Sequence, residues 1–162
     1  MPVEPVEFYE LDREVFRLLK KGIDDKRGDE HLDDWQGAAS EIADYVASWG
    51  LERFWAMSRS QVLKNGKMPD PTDDADKLPW YFSWSVAREV LCKIVGTELG
   101  INYDMSTAEF QERLHGSEDS NYSNGLNFNQ QVLLTDLLME IAHTVQFWTM
   151  RFKDARESGK TV

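Results

Sequence analysis

The sequence predicts an all-α protein, a compact bundle of five or six helices with a long C-terminal helix. Apolar residues recur every three or four positions in several stretches, which is the spacing of an amphipathic helix. No stretch alternates apolar and polar residues between hairpin turns, as a half-buried strand would. The chain has 162 residues, 41% of them hydrophobic, so we expect a single helical domain over 1–162.

The first half of the chain contains three predicted helical segments. The first covers 7–22 and stops at Gly22, because glycine commonly ends helices. The second starts at a capping aspartate in 33–34 and reaches Gly50, which marks a break or a kink. The third covers 51–63.

The second half begins with an internal loop rich in proline and aspartate, over 64–79. An apolar helix follows over 79–98. A short helix over 107–115 opens with a capping box at Ser106, and the longest helix covers 128–157.

The last helix has two apolar faces. Its core stripe consists of Leu134, Leu137, Leu138, Ile141, Val145, Trp148, Phe152 and Ala155. The opposite stripe, a candidate partner-facing surface, consists of Met139, His143, Phe147 and Met150. Either the helix is central and buried on both sides, or the second stripe docks a partner. Bundle architecture favours the central helix.

The composition restricts the classes of function. Eighteen basic and 29 acidic residues give a net charge of −11. This charge opposes loose binding to nucleic acid, but it fits a partner for a basic protein or an RNA binder with clustered basic residues. No apolar run is long enough for a membrane span and no secretory signal is visible, so we expect no membrane contact and a cytoplasmic location. The single cysteine, Cys92, excludes an intrachain disulfide.

No residue pattern points to an enzyme or a cofactor. Cys92 lies in an apolar helix without a marked base and is expected to be a buried structural residue. Two Glu-x-x-His pairs, Glu112 with His115 and Glu140 with His143, have the spacing of carboxylate-bridged metal bundles. Surface or helix-end histidines are the preferred interpretation of both pairs, so we expect no metal.

A few basic side chains are candidates for contact with nucleic acid or a partner. Several stand beside aromatic residues, and such clusters can hold a phosphate backbone even in an acidic protein. These residues are Arg53, Arg59, Arg151, Lys153 and Arg156. The competing interpretation is that they form helix-end and salt-bridge contacts.

Two segments resemble a known family. The first segment covers 46–57 (VASWGLERFWAM) and is similar to an apolar-x-x-x-G-L segment of one small helical protein. The second covers 148–155 (WTMRFKDA) and is similar to the W-x-x-R-F-x-x-A segment of the same protein. That protein is the small subunit of the type III-B CRISPR–Cas effector, the Cmr complex. The resemblance implies a non-catalytic subunit that stacks beside the repeated backbone protein and helps hold the guide–target duplex. Arg151 matches the arginine of the second segment and is implied to contact RNA or the backbone subunit.

Two alternatives remain open. The net charge and the many aromatic residues also fit an acidic inhibitor or immunity protein that binds a basic toxin, nuclease or nucleic-acid-binding protein. A small helical metalloenzyme that uses Glu140 and His143 is the third interpretation.

Overall fold

Five helices pack around one hydrophobic core in the computed structural model, which describes residues 8–26, 31–60, 79–117 and 124–160. They are α1 (Phe8–Lys26), α2 (Leu32–Ser60), α3 (Pro79–Leu99), α4 (Thr107–His115) and α5 (Phe128–Glu157). The described ranges contain no strand, so the all-α prediction is confirmed, together with the long C-terminal helix. The predicted internal loop 64–79 lies outside the described residues except for Pro79, which opens α3.

Helix α1 does not stop at Gly22, so this predicted end is wrong. The helix continues to Lys26, and Gly22 is buried against α3. A Cβ atom at this position would lie 2.6 Å from Cζ of Phe82. Glycine is therefore needed here for close helix packing rather than as a stop signal.

Helix α2 bends at Gly50, as the sequence predicts. Gly50 has φ 84° and ψ 178°, a combination open almost only to glycine. The bend leaves Trp49 54% exposed, whereas Leu51 returns to the core. The two predicted segments are thus one kinked helix, and the bundle has five helices over the described residues.

Helix α3 is buried on all sides over part of its length, whereas α5 is buried on one face. Every side chain of 82–88 is buried, and α3 contacts α1, α2 and α5. In α5, only one face is buried, and Phe147 and Met150 on the other are 52% and 37% exposed. Met139 packs partly against the core and His143 is exposed. The favoured interpretation of α5 as a helix buried on both sides is therefore wrong.

A buried arginine joins three parts of the fold. Arg88 of α3 is fully buried, with its guanidinium carbon 3.7 Å from the ring centre of Trp55. Its Nη2 donates to the carbonyls of Tyr103 and Met105, both at 2.7 Å. Its Nη1 donates at 3.2 Å to the carbonyl of Trp55 and to the hydroxyl of Ser58. These bonds tie α2 and α3 to the turn that precedes α4.

Local signals fix the starts of the last two helices. The predicted capping box is present in α4. The Ser106 side chain accepts a hydrogen bond from the backbone N–H of Glu109, and the Glu109 side chain accepts one from the backbone N–H of Ser106. A second box, which the sequence analysis did not identify, joins Asn127 and Gln130 at the start of α5.

The bend in α2 leads to a test by matched glycine substitutions. We expect Gly50→Ala to lower the free energy of unfolding by about 1–3 kcal/mol, because its backbone conformation is strained for any side chain. Gly37→Ala, in the same helix, is the control. A Cβ at either position meets no atom within 4 Å, but Gly37 has no positive φ. The control should therefore stabilise the protein by about 0.5–1 kcal/mol. Urea denaturation measures the free energy of unfolding of both variants, and an equal change in the two would contradict a strained backbone at Gly50.

The buried arginine leads to a second test. We expect Arg88→Met to lower the free energy of unfolding by at least about 2 kcal/mol, because several buried carbonyls lose a donor at once. Arg17→Met on the exposed face of α1 is the control and should change it by less than about 0.5 kcal/mol. Equal midpoints in urea for the two variants would refute the role assigned to Arg88.

Candidate nucleic-acid interface

An open groove of about 810 Å³ runs between α1 and the C-terminal half of α5. We call it the α1–α5 groove. It is lined by Tyr9, Asp12, Arg13, Phe16, Arg17, Lys20, Lys21, Asp24 and Trp148. Eight of these nine residues belong to α1, where spacings of three and four residues bring them to one outward face. One helix therefore supplies most of the groove, and α5 adds an aromatic wall.

Aromatic contacts hold the floor of the groove in place. The Phe16 ring meets Trp148 edge-on at 5.1 Å and stacks with Phe152 at 5.2 Å. The indole N–H of Trp148 donates to Oδ1 of Asp12 at 2.9 Å, which fixes the orientation of the ring. Phe147 packs edge-on against Trp148 at 5.1 Å and extends the aromatic surface along α5.

The charge of the groove is opposite to that of the whole chain. Four basic and two acidic side chains line it, a local net charge of +2 on a chain of −11. Arg13 lies over the Tyr9 ring at 5.9 Å. Lys20 pairs with Asp24 at 2.7 Å, but both side chains are 54% exposed, so the pair contributes little to stability. These cations are therefore accessible to an anionic ligand.

The flank of the groove carries one further ion pair. Arg17 contacts Glu14 at 3.0 Å, and Lys93 of α3 contacts the same carboxylate at 3.5 Å. Burial alone would raise the pKa of Glu14, but the hydrogen bond and charge of Arg17, with Lys93, hold it below its ordinary value. Glu14 stays ionised at neutral pH and orients Arg17.

The structure separates the basic residues predicted from the sequence. Arg151 does not line the α1–α5 groove; it lies 5.6 Å from the ring centre of Phe147, which packs on the groove residue Trp148, and it pairs with Asp154 at 2.7 Å. Arg53 lies elsewhere, 4.5 Å from the ring centre of Trp49 at the α2 bend. The side chain of Arg59 lies outside the described residues.

Lys153 and Arg156 face α2 instead. They approach Oδ1 of Asp33 at 3.1 and 3.6 Å, and Lys153 also donates to Gln36 at 2.8 Å. The hydrogen bond from Lys153, assisted by its charge and that of Arg156, holds the pKa of Asp33 below its ordinary value. Both cations therefore join helices, which is the structural role that the competing interpretation assigned to them.

Sequence reasoning missed the cations of α1, although a signal was present. Arg13, Arg17 and Lys20 recur at spacings of four and three residues, with Tyr9 and Phe16 on the same face. Lysines in the last turn of a helix are also favoured by the helix dipole, so Lys20 and Lys21 do not by themselves indicate a binding surface. Only the packing of α1 against Trp148 turns that face into a groove.

A second groove, of about 480 Å³, lies at the bend of α2. Its apolar lining includes Trp49, Phe128 and Val132, which are 54%, 79% and 41% exposed. Arg53 and Asp136 also line it. We call it the kink groove.

The histidines are not arranged as metal ligands. His115 hydrogen-bonds Glu52, which also accepts from Gln111 at 3.1 Å. The hydrogen bond from His115 lowers the pKa of Glu52. Glu140 and His143 are exposed on α5. Over the described ranges, no three His, Cys, Asp or Glu side chains are grouped closely enough to hold a metal ion.

Cys92 leads to a test of thiol reactivity. Burial raises its pKa from 9.0 to about 12, and the side chain packs partly against the core. At pH 8 the thiolate fraction should be about one in ten thousand in the folded protein and about one in ten after unfolding. We expect iodoacetamide to label the folded protein at least about 100-fold more slowly than the urea-unfolded protein. Equal rates, measured by mass spectrometry, would contradict the packing of Cys92.

Comparison of the chain with protein-family models, curated proteins and solved structures finds no match. In the described part of the chain, no helix combines the length and apolar character needed to cross a bilayer. The geometry and charge of the two grooves are therefore the basis for assigning a function.

Proposed function

We propose that this protein is a non-catalytic helical subunit of an RNA-guided CRISPR effector. It scaffolds the backbone subunits and contacts guide–target RNA through the α1–α5 groove. The observation that carries the proposal is the groove itself, which combines a net charge of +2 with an aromatic floor on a chain of −11. Cations beside accessible aromatic rings are the usual elements of a surface that holds RNA without reading its sequence.

The groove offers both kinds of contact that RNA requires. Arg13, Lys20 and Lys21 supply charge for the phosphates, and Tyr9 in the groove and Phe147 beside it are 58% and 52% exposed, so that unpaired bases next to the guide–target duplex can stack on them. Phe16 and Trp148 lie deeper and are fixed by their packing. The rings are therefore ordered before RNA binds, which reduces the entropic cost of binding.

The resemblance supports the same surface. Its second segment supplies Trp148 in the wall and Phe152, which stacks on Phe16. Its first segment contains the bend at Gly50 and the exposed Trp49. The second segment therefore supports the α1–α5 groove through Trp148, whereas the first lies at the kink groove, and both also supply core residues such as Trp55 and Phe152.

An acidic inhibitor of a basic protein is the second candidate. The observation that favours it is the outer face of α2, where Asp34, Glu41 and Asp44 are all exposed. In the leading proposal, this face would meet a basic backbone subunit. In the second, it would meet a single basic toxin or nuclease, and binding would be tight, salt-sensitive and independent of RNA.

RNA binding is tested by fluorescence anisotropy with a labelled single-stranded oligouridine at low salt. We expect Arg13→Ala/Lys20→Ala to weaken RNA binding at least about tenfold. We also expect the dependence of the logarithm of the association constant on the logarithm of salt concentration to become less steep by about 1.4, because each lost phosphate contact contributes about 0.7. Arg53→Ala/Lys160→Ala has the same charge change outside the groove and should bind nearly as the wild type does. Equal losses in both variants, or no RNA binding, would contradict the assigned surface.

Purification of the tagged protein from its native host separates the two candidates. Recovery of several effector subunits with short repeat-derived RNAs supports the leading proposal. Recovery of one basic protein without RNA supports the inhibitor and overturns the effector assignment.

A further inference from the structure

The α1–α5 groove contains a carboxylate whose role the contacts to phosphate do not explain. Two acidic side chains line the groove, Asp12 and Asp24. Asp24 pairs with Lys20 at 2.7 Å, so a neighbouring cation balances its charge. Asp12 has no such pair among the described residues, where its hydrogen-bond donor is the indole N–H of Trp148, at 2.9 Å from Oδ1. Asp12 is therefore the carboxylate of the groove that remains open to a ligand.

Asp12 retains most of its capacity to accept hydrogen bonds. An ionised carboxylate offers about four lone-pair sites on its two oxygens, and Trp148 uses one of them. The Asp12 side chain is half-buried and lines the groove. Because like charges repel, a phosphate is disfavoured beside it. An RNA strand in the groove must therefore present a hydrogen-bond donor at this point.

Aromatic rings lie on both sides of Asp12 along α1. Tyr9 precedes it by three residues and Phe16 follows it by four, so the three side chains share one face of the helix on neighbouring turns. The Tyr9 side chain is 58% exposed, and Phe16 is half-buried. From α5, the ring of Trp148 is held to Asp12 by its hydrogen bond. A base that stacks on this surface therefore brings the donors of its edge within reach of the carboxylate.

The four bases differ in the donors that they offer to a carboxylate. Unpaired guanine has two adjacent donors on its Watson–Crick edge, N1–H and N2–H, which match the two oxygens of a carboxylate. Uracil has a single N–H between two carbonyl oxygens. Adenine and cytosine each have an amino group beside an acceptor nitrogen, which a carboxylate repels. A stacking surface with a carboxylate at its edge therefore selects guanine.

We propose that the α1–α5 groove holds one unpaired guanine of an RNA strand and that Asp12 selects it. The base stacks on the exposed Tyr9 ring, and Asp12 accepts hydrogen bonds from N1–H and N2–H. Arg13, which lies over the Tyr9 ring at 5.9 Å, meets an adjoining phosphate. This inference rests on the proposed function, because RNA must first lie in the groove. It adds selectivity for one base to a surface whose cations and rings accept any base.

The length of the groove favours a strand over a free nucleotide. Its lining runs from Tyr9 to Asp24, a separation of 15 residues, or about 22 Å at 1.5 Å per residue. Lys20 lies eight residues beyond Asp12, about 12 Å along the helix, and Lys21 follows it. These lysines are therefore placed for the phosphates of neighbouring nucleotides rather than for the phosphate of the guanine itself.

Fluorescence anisotropy with short labelled oligouridines at low salt tests the selectivity. The central nucleotide is guanosine, adenosine or inosine, and the ratio of the association constants is the readout. We expect the guanosine oligomer to bind at least about fivefold more tightly than the adenosine oligomer, since both purines stack but only guanine offers two adjacent donors. Inosine, which lacks the amino group of guanine, should fall between them. Guanosine monophosphate should displace the labelled guanosine oligomer at least about tenfold less effectively than the unlabelled oligomer does, because it lacks the neighbouring phosphates.

Two matched variants assign the selectivity to Asp12. Asp12→Asn and Asp24→Asn each remove one negative charge from the groove, so a general gain in affinity for RNA does not distinguish them. The preference for guanosine over adenosine should fall below about twofold in Asp12→Asn, because an amide presents a donor where guanine needs an acceptor. The preference should keep its wild-type value in Asp24→Asn. The oxygen of the new amide in Asp12→Asn can still accept from Trp148, and circular dichroism confirms that both variants are folded.

The outcomes separate this inference from the proposed function. Equal binding of the guanosine and adenosine oligomers overturns the guanine subsite and leaves the RNA surface in place. A preference for guanosine that persists in Asp12→Asn overturns the role of Asp12. Equal displacement by guanosine monophosphate overturns the assignment to a strand. Absence of RNA binding overturns both proposals.

Discussion

The burial of one guanidinium constrains most of this fold. A buried charge is tolerated only when its donors meet acceptors, and Arg88 meets three backbone carbonyls and a hydroxyl. The carbonyls of Tyr103 and Met105 must therefore point inward, which sets the turn before α4. Trp55 is held by the same cluster, because its indole N–H donates to Met105 at 2.9 Å and its ring stacks on Phe110 at 4.3 Å. The part of α2 beyond the bend is thus fixed by α3 and α4 together.

The bend in α2 follows from this constraint and determines which surfaces remain open. At its other end, α2 is held by the burial of Leu32 and Trp35, and exposed contacts of Asp33 with Lys153 and Arg156 add little to this. Two fixed ends with a glycine bend between them turn Trp49 outward. Helix α5 packs against α1, α2 and α3 with its buried face, whereas Val132, Phe147 and Met150 on its opposite face are exposed in the described part of the chain. The kink groove lies at the bend of α2, and the α1–α5 groove lies where α1 packs against Trp148 of α5.

Local patterns predicted the helices well, but they did not predict what those helices meet. The capping box at Ser106 and the bend at Gly50 are determined by residues that are close together in the sequence, so both could be predicted. Gly22 was misread because its role depends on Phe82, 60 positions away. The burial of Arg88 leaves no local trace in an apolar helix. Arg151 and Lys153 look like one cluster in the sequence, yet residues two apart lie about 200° apart around a helix, so they face different neighbours.

The distribution of charge around α1 explains how an acidic protein presents a cationic groove, because the face that lines the groove has four basic and two acidic residues although the helix as a whole carries no net charge. The exposed acids of α2 and the cations of α1 lie on separate outward faces. At physiological ionic strength the electric field of a charge is screened over about 8 Å, so a ligand in the groove responds mainly to its immediate lining. The excess of acidic side chains over the rest of the surface, which gives the net charge of −11, opposes unspecific contact with nucleic acid outside the groove. In the proposed assembly, contacts with neighbouring subunits would offset that repulsion, so free RNA is expected to bind the isolated groove more weakly than RNA held in the complex. The charge pattern therefore favours a subunit that meets RNA within an assembly over one that captures RNA alone.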